Sequence, residues 1–299
     1  MNWLRKNKLV IVHDGSFHPD DVFCVALLSI LYNGAIKVIR TRNEKEFQKA
    51  DFVLDIGLVY DPDHNRFDHH QEGGAGFRDN KITYSAFGLL WKKYGVEVCG
   101  SQKISDILEK KLVEVIDADD MGLDLSQNKI TYVYPFMMTD AIYSMRPTWK
   151  ENSSNIDKFF FKAVDFAKDI LIREIKIAKD KIEAESLVDD IYSNSEDKRI
   201  IIFSKQYLPK DLLINYPEPL FVVYKEMYGE KWRVTTIEKS ENTYECRKNF
   251  PESWWGKKDE ELAKVSGVSD AVFCRNGGIF AGAKSQEGAI QMAKKALNN

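Results

Sequence analysis

Leu9-Val-Ile-Val12-His13-Asp-Gly-Ser-Phe-His18-Pro19-Asp20-Asp21-Val22-Phe-Cys-Val-Ala-Leu-Leu-Ser-Ile-Leu-Tyr32-Asn33-Gly34 reads as a strand, a ligand-rich loop and a helix in direct succession. The unbroken apolar run 9–12 suits a strand buried on both faces. Pro19 is favoured in a first helical turn, and Asp20 and Asp21 stand near that helix's positive end. The run from Val22 to Tyr32 continues the helix until Asn33-Gly34 stops it. Ile36–Ile39 and Phe52–Leu54 read as the next strands, separated by a charged segment that contains Phe47. Strands interleaved with helices indicate an α/β chain with a doubly wound parallel sheet flanked by helices. Ligands of such sheets gather beyond the carboxyl ends of the strands. His13 directly follows the first strand and Asp55 ends the third, so two strands deliver metal-type ligands to one edge.

Working outward, all five histidines fall in the first 70 residues, each near a carboxylate. They form two clusters, His13 to Asp21 and His64-Asn-Arg-Phe-Asp68-His69-His70. Imidazole and carboxylate are ligands of divalent metals, and this grouping predicts a metal site and hydrolytic chemistry. His64 reads as an ordinary loop histidine, and Asp21 as a charge at the helix start. Residues 57–82 read as a polar loop, with Gly73-Gly74-Ala75-Gly76 suggesting a mobile lid. Helices are expected over 83–94, 102–118 and 134–146, the second closing on Ile116-Asp117-Ala-Asp119-Asp120. Apolar residues three or four apart predict one long helix over 156–192, roughly 55 Å in length. Beyond it, β-rich segments at 199–204, 219–226 and 231–237, then at Val272–Cys274 and Ile279–Ala281, precede a terminal helix at 285–297. The expected organisation is a metal-binding catalytic domain in 1–150, a connecting helix in 151–195 and a smaller α+β substrate-binding domain in 196–299.

Composition restricts the partners. With 43 basic against 46 acidic residues the net charge is −3, so no global field recruits nucleic acid, and contact would need a local patch. Cys24, Cys99, Cys246 and Cys274 form no CxxC pair and are expected as reduced, mostly buried thiols. The first ten residues are too polar for a signal peptide, and no stretch of about 20 apolar residues exists. A cytoplasmic protein without a membrane span is expected.

The Asp-His-His triplet at 68–70, between sheet-edge ligands and the acidic 117–120 segment, resembles the DHH superfamily of phosphoesterases. That superfamily includes RecJ-type exonucleases, family II inorganic pyrophosphatases and oligoribonucleases. Within it, the chain resembles the Myg family (melanocyte proliferating gene proteins and microbial relatives). The resemblance rests on residues 13–21, Asp55-Ile-Gly57, Phe67-Asp-His-His-Gln71, Ile116–Gly122, Pro251-Glu-Ser-Trp-Trp-Gly256 and Gly277-Gly-Ile-Phe-Ala-Gly-Ala283. It implies a DHH-type catalytic domain holding two divalent ions. His13, His18 and Asp55 would hold one; Asp20, Asp55, His69 and Asp117 the other, with Asp119 and Asp120 as alternatives to Asp117. Other superfamily branches carry an aspartate where His18 stands. Nitrogen and oxygen ligands suit Mn²⁺ and tolerate Mg²⁺. His70 would donate a proton or bind phosphate, and Asp68 would orient His69.

In the second domain, Arg247-Lys248 and Lys257-Lys258 bracket Phe250, Trp254 and Trp255. These could grip phosphate and stack bases, or form a solvated face over packed tryptophans. The Gly277-Gly278 turn resembles a glycine-rich nucleic-acid-binding element, though a hairpin explains it equally. Arg146 enters as a substrate-binding candidate by resemblance alone. The implied function is a 3′-to-5′ exonuclease acting on RNA or short oligonucleotides by two-metal hydrolysis. The rivals are a phosphatase for pyrophosphate or a phosphonucleotide, and a metal-binding protein without turnover. A homodimer remains an option.

Overall fold

The computed structural model describes residues 7–125, 133–151, 153–204, 210–241 and 243–298. The chain divides into two compact units, 1–179 and 180–299. The division falls inside the long helix rather than at either of its ends.

In the first unit, strands β1 (Lys8–Val12), β2 (Ile36–Arg40), β3 (Phe52–Leu54), β4 (Tyr60–Asp61) and β5 (Arg66–Phe67) form one sheet. Its order is β2-β1-β3-β5-β4. β1 pairs in parallel with β2 and β3, and β3 with β5. β4 runs antiparallel to β5, so the sheet is mixed where a parallel one was expected. The cause is local. A 3₁₀ turn, Pro62–His64, closes on Asn65 at φ +56° and joins the two strands directly. So short a link permits only antiparallel neighbours, because parallel strands need a long crossover. These two-residue strands lie where a loop was expected, and neither is long enough to show an alternating pattern.

Side chains alternate between the sheet's faces. Ile11 and Val53 pack with Ala50, Phe47 and Ile56 on one side, beside the short helix α2 (Glu44–Phe47). On the other side Phe52 meets Tyr32, at the end of α1 (Pro19–Leu31), and Tyr94 of α3 (Ala86–Cys99). Every residue of α1 from Pro19 to Leu28 is buried, which explains why its sequence is apolar all round from Val22 to Leu28.

The segment expected as one helix over 102–118 has three parts. α4 (Gln102–Leu108) passes through a π-helical turn, Glu109–Val113, into α5 (Glu114–Asp120). Such π turns re-aim whatever follows them and recur at functional sites. The helix expected at 134–146 is confined to α6 (Met138–Tyr143).

The long helix is α7 (Ile156–Asn194). Its stripe Phe160, Ala163, Val164, Ala167 and Leu171 is buried in the first unit. Further along, Ala184 and Val188 join the second unit's core with Ile201, Phe203 and Val222.

The second unit is a five-stranded sheet of β6 (Ile200–Phe203), β7 (Phe221–Lys225), β8 (Trp232–Thr236), β9 (Ala271–Cys274) and β10 (Phe280–Ala283). Its order is β6-β7-β8-β10-β9, antiparallel except for β6 with β7. Helices α8 (Asp259–Ser266) and α9 (Gln286–Leu297) complete it, α9 contributing Ala289, Met292, Ala293 and Ala296 to a core with Phe221, Val223 and Val234. All four cysteines are free, and three are buried. No helix among the described residues is long and apolar enough to cross a membrane.

Candidate metal centre

Three chain segments meet at the carboxyl edge of the first sheet. β1 ends in His13, whose loop leads through His18 into α1 and so brings Asp20 and Asp21 to the same place. The His18 amide donates to Asp21 Oδ1 at 2.9 Å, an acid at the third helical position returning to the cap. β3 ends in Asp55, a non-glycine residue at φ +54°, and β5 runs into Asp68-His69-His70.

Asp55 stands at the centre with its two oxygens turned to different histidines. Oδ2 is 3.3 Å from His13 Nε2, while Oδ1 is 3.3 Å from His69 Nε2 and 3.5 Å from His70 Nδ1. His69 Nε2 is also 3.3 Å from Asp120 Oδ2 and 3.8 Å from Asp20 Oδ2. Three ligand-capable groups result: His13, His18 and Asp55; Asp20, His69 and Asp120; Asp55, His69 and His70. Within each, the candidate donor atoms lie within 4.8 Å of one another.

Asp117, expected among the ligands, faces elsewhere. Its Oδ1 accepts from Ser85 Oγ at 2.5 Å and from the Gly88 amide at 3.1 Å, and Oδ2 lies 2.7 Å from Arg78 Nη1. Gly88 is essential to this fit, since a Cβ there would stand 1.9 Å from Asp117 Oδ2. One turn of α5 later the helix presents Asp120 to His69. Three residues of helical rotation, beyond a π turn that spacing alone does not reveal, separate the anchoring aspartate from the site-facing one.

Electrostatics separate the members of the cluster. Burial works against a charged His13, yet hydrogen bonding to Asp21 and Asp55 outweighs it and pushes the imidazole up to about 10. Burial, with Asp55 and Asp120 nearby, holds Asp20 well above the carboxylate range. Burial likewise raises Asp120 to about 6 against the pull of His69. Asp55 moves the other way: burial opposes it, but His13 and His69 keep it ionised. Burial lowers His18.

Asp20 is fully buried, and neither of its carboxylate oxygens has a hydrogen-bond partner among the described residues. A buried anion without donors is costly unless a cation compensates it. Orphaned carboxylate oxygens among imidazoles, with no thiolate, fit a hard or borderline divalent ion.

Asp68 acts through the backbone as well as through a ring. Its Oδ1 accepts from the amides of His69 and His70 at 2.7 and 3.1 Å and lies 2.8 Å from His70 Nδ1. Its Oδ2 accepts from the Leu58 amide at 2.6 Å. The contact of the His70 ring with Asp68 Oδ1 raises the His70 pKa, against the effect of burial. His64 is exposed at the end of the 3₁₀ turn, and its ring lies 2.7 Å from Asp61 Oδ2. Asp21, read from sequence as a helix-start charge, does cap α1 but also lies 3.0 Å from His13 Nε2. The adjacent pair Asp20-Asp21 was the available signal for that second role. Arg78 and Ser85 carried none.

The other expected binding residues have structural partners. Arg146 donates through Nε to the Phe17 carbonyl at 2.6 Å, and again through Nη2, bracing the loop that carries His13 and His18. Arg247 donates to the carbonyls of Tyr216, Pro219 and Ile214 at 2.6 to 3.0 Å. Lys248 Nζ reaches the Leu297 carbonyl at 3.0 Å. Gly277 and Gly278 form a left-handed turn, φ +86° and +62°, and a Cβ on Gly278 would stand 2.2 Å from Trp255 Nε1. Arg247 and Lys248, expected to grip phosphate, donate these hydrogen bonds to backbone carbonyls inside the second unit. Trp254 is buried there.

Fold and site together define an α/β protein with a candidate divalent-metal centre of histidines and aspartates at a sheet edge. The family model MYG1_exonuc, described as an uncharacterised protein family (UPF0160), matches residues 9–297, and the chain belongs to that family. It is 29% identical over 318 residues to a MYG1 protein of Dictyostelium discoideum, covering 97% of this chain and 96% of that one. It is 29% identical to a MYG1 protein of Saccharomyces cerevisiae, with 98% and 96% covered. To the protein named MYG1 exonuclease in Homo sapiens it is 25% identical, with 95% and 84% covered.

Proposed function

We propose that this chain is a divalent-metal-dependent phosphodiester hydrolase of DHH type, a 3′-to-5′ exonuclease acting on RNA or short oligonucleotides. The observation that carries the reading is the unpartnered, fully buried carboxylate of Asp20 facing His69, Asp55 and Asp120. The exonuclease name borne by mammalian relatives supports the same class.

His13, His18 and Asp55 would hold one ion, and Asp20, His69 and Asp120 the second, with Asp55 offering an oxygen to each. Mn²⁺ is the first choice for such a set and Mg²⁺ the second. Bound ions of this kind activate water near neutral pH and offset charge on a phosphoryl group. The chain's own residues do the rest. Asp68 holds His70 by Nδ1, which leaves Nε2 as the position from which a proton can pass to a departing oxygen. Arg146 fixes the loop between His13 and His18 through the Phe17 carbonyl. Asp117, clasped by Arg78, Ser85 and Gly88, holds α5 so that Asp120 faces inward.

End-labelled RNA, a short oligonucleotide and pyrophosphate, each offered with Mn²⁺, test the reading. A ladder of mononucleotides removed from the 3′ end is expected, and His69→Ala should abolish it with the fold intact. Inert RNA with rapid pyrophosphate release would instead make the protein a small-molecule phosphatase.

A further inference from the structure

Beside the ligand cluster opens a cavity of about 430 Å³, within the usual range of small-ligand sites. His13, His18, Asp55, Asp68 and His70 of that cluster are among its lining residues. Another part of the wall has a different chemistry, built from Arg42, Glu44, Phe47 and Leu58.

Leu58 is the unusual member. Its backbone lies in the left-handed region, φ +56°, which a branched aliphatic residue rarely adopts. The short hydrogen bond from its amide to Asp68 Oδ2 holds it there, so the residue that orders the two histidines also fixes this backbone. As a result an apolar side chain stands 62% exposed at a cavity that the charged and imidazole groups of the ligand cluster also line. Backbone held in a sparsely populated region clusters where function requires it. The Phe47 ring lies behind, 3.6 Å from where a Cβ on Gly57 would be. Arg42 supplies the wall's cation; its Nε lies 3.1 Å from Asp14 Oδ1, an exposed and replaceable partner. Glu44, the first residue of α2, adds an acceptor.

We propose that this wall is a nucleoside subsite: Leu58 and Phe47 take the base of the terminal nucleotide, Arg42 its phosphate, and Glu44 its ribose hydroxyls. The assignment rests on the phosphodiesterase reading and goes further, because a pyrophosphate site has no use for an apolar shelf. Base stacking on such a shelf tolerates every base, since each presents a π-face. The subsite therefore selects a nucleotide over a bare sugar phosphate without selecting sequence.

The test compares adenosine 5′-monophosphate with ribose 5-phosphate for binding to the Mn²⁺-loaded full chain by equilibrium dialysis. It is repeated with Leu58→Gly, which suits the left-handed backbone and keeps the amide to Asp68. Wild type should prefer the nucleotide by about tenfold, and Leu58→Gly should bring the ratio toward one. Arg42→Gln should weaken both ligands alike. Equal affinity for the two ligands in wild type, or a ratio unmoved by Leu58→Gly, overturns the subsite. RNA hydrolysis and the binding ratio are separate readouts. An inert protein that still shows the Leu58-dependent ratio keeps the subsite and loses the exonuclease; an active one without that ratio does the reverse.

Discussion

The guanidinium of Arg78 lies 2.7 Å from the carboxylate of Asp117 inside the first unit, and three residues later α5 presents Asp120 to His69. One aspartate of the acidic segment anchors while another faces the site. Arg78 also meets Glu109 at 2.6 Å and Glu114 at 3.8 Å, so it ties the loop before α3 to the π turn and to α5.

Removing that clasp should cost stability and metal together. Arg78→Met leaves Asp117 buried without its partner, a loss of about 3–5 kcal/mol for such pairs. The urea midpoint should fall and Mn²⁺ affinity should drop with it. Asp120→Asn should lose Mn²⁺ affinity while the midpoint of the metal-free protein stays level or rises. If both variants behave alike, α5 has no division of labour.

Asp20→Asn separates folding from binding in the same way. Burial raises the folded-state pKa of Asp20 well above its ordinary value, so ionisation costs stability once pH exceeds that ordinary value. The amide should therefore raise the melting temperature of the chelated protein. Wild type should gain about 2.7 kcal/mol from Mn²⁺ at about one hundred times Kd, and the variant far less. Calorimetry with and without chelator reads both effects.

Metal binding should release protons and tighten as pH rises. His13 is raised from 6.5 to about 10, so without metal its charge stabilises the fold fully below 6.5 and that contribution fades as pH passes about 10. Asp120, raised to about 6, destabilises the metal-free fold as it ionises between its ordinary value and about 6. A bound ion needs neutral His13 and ionised Asp120, and both requirements favour higher pH. Titration calorimetry in buffers of different ionisation heat should show net proton release. Buffer-independent heats and a flat affinity would refute the assignment of His13.

Arg247→Ala should unfold the second unit more easily, because three partly buried carbonyls lose their donor, at about 1–3 kcal/mol for such a loss. Mn²⁺ affinity should not move. A variant of normal stability but raised KM for RNA would restore the phosphate role that sequence suggested for this residue.

Much of the first unit was legible because its signals are local. The run 9–12, Pro19 and the stop at 33–34 are short-range rules, and they place β1 and α1 within a residue of where they stand. Asp55 could be found because it ends a strand. What stayed hidden depends on distant partners. The antiparallel β4 has too few residues to show a period. The choice between Asp117 and Asp120 turns on Arg78, Ser85 and Gly88, all from an earlier stretch of chain. For Arg247 and Lys248 the sequence shows charge but not the carbonyls that accept from it, and a cation beside tryptophans reads alike in either setting.

The helix α7 carries a practical consequence for anyone dividing the gene. A fragment stopped near codon 150 would lack Phe160, whose ring packs 5.7 Å from that of Phe17, and Asp157, which pairs with Arg40 at 2.8 Å. Its exposed greasy seam would invite precipitation, and the loop bearing His13 and His18 would lose its backing. Truncations that keep the amino-terminal half intact must run some thirty codons further and end partway along a continuous rod.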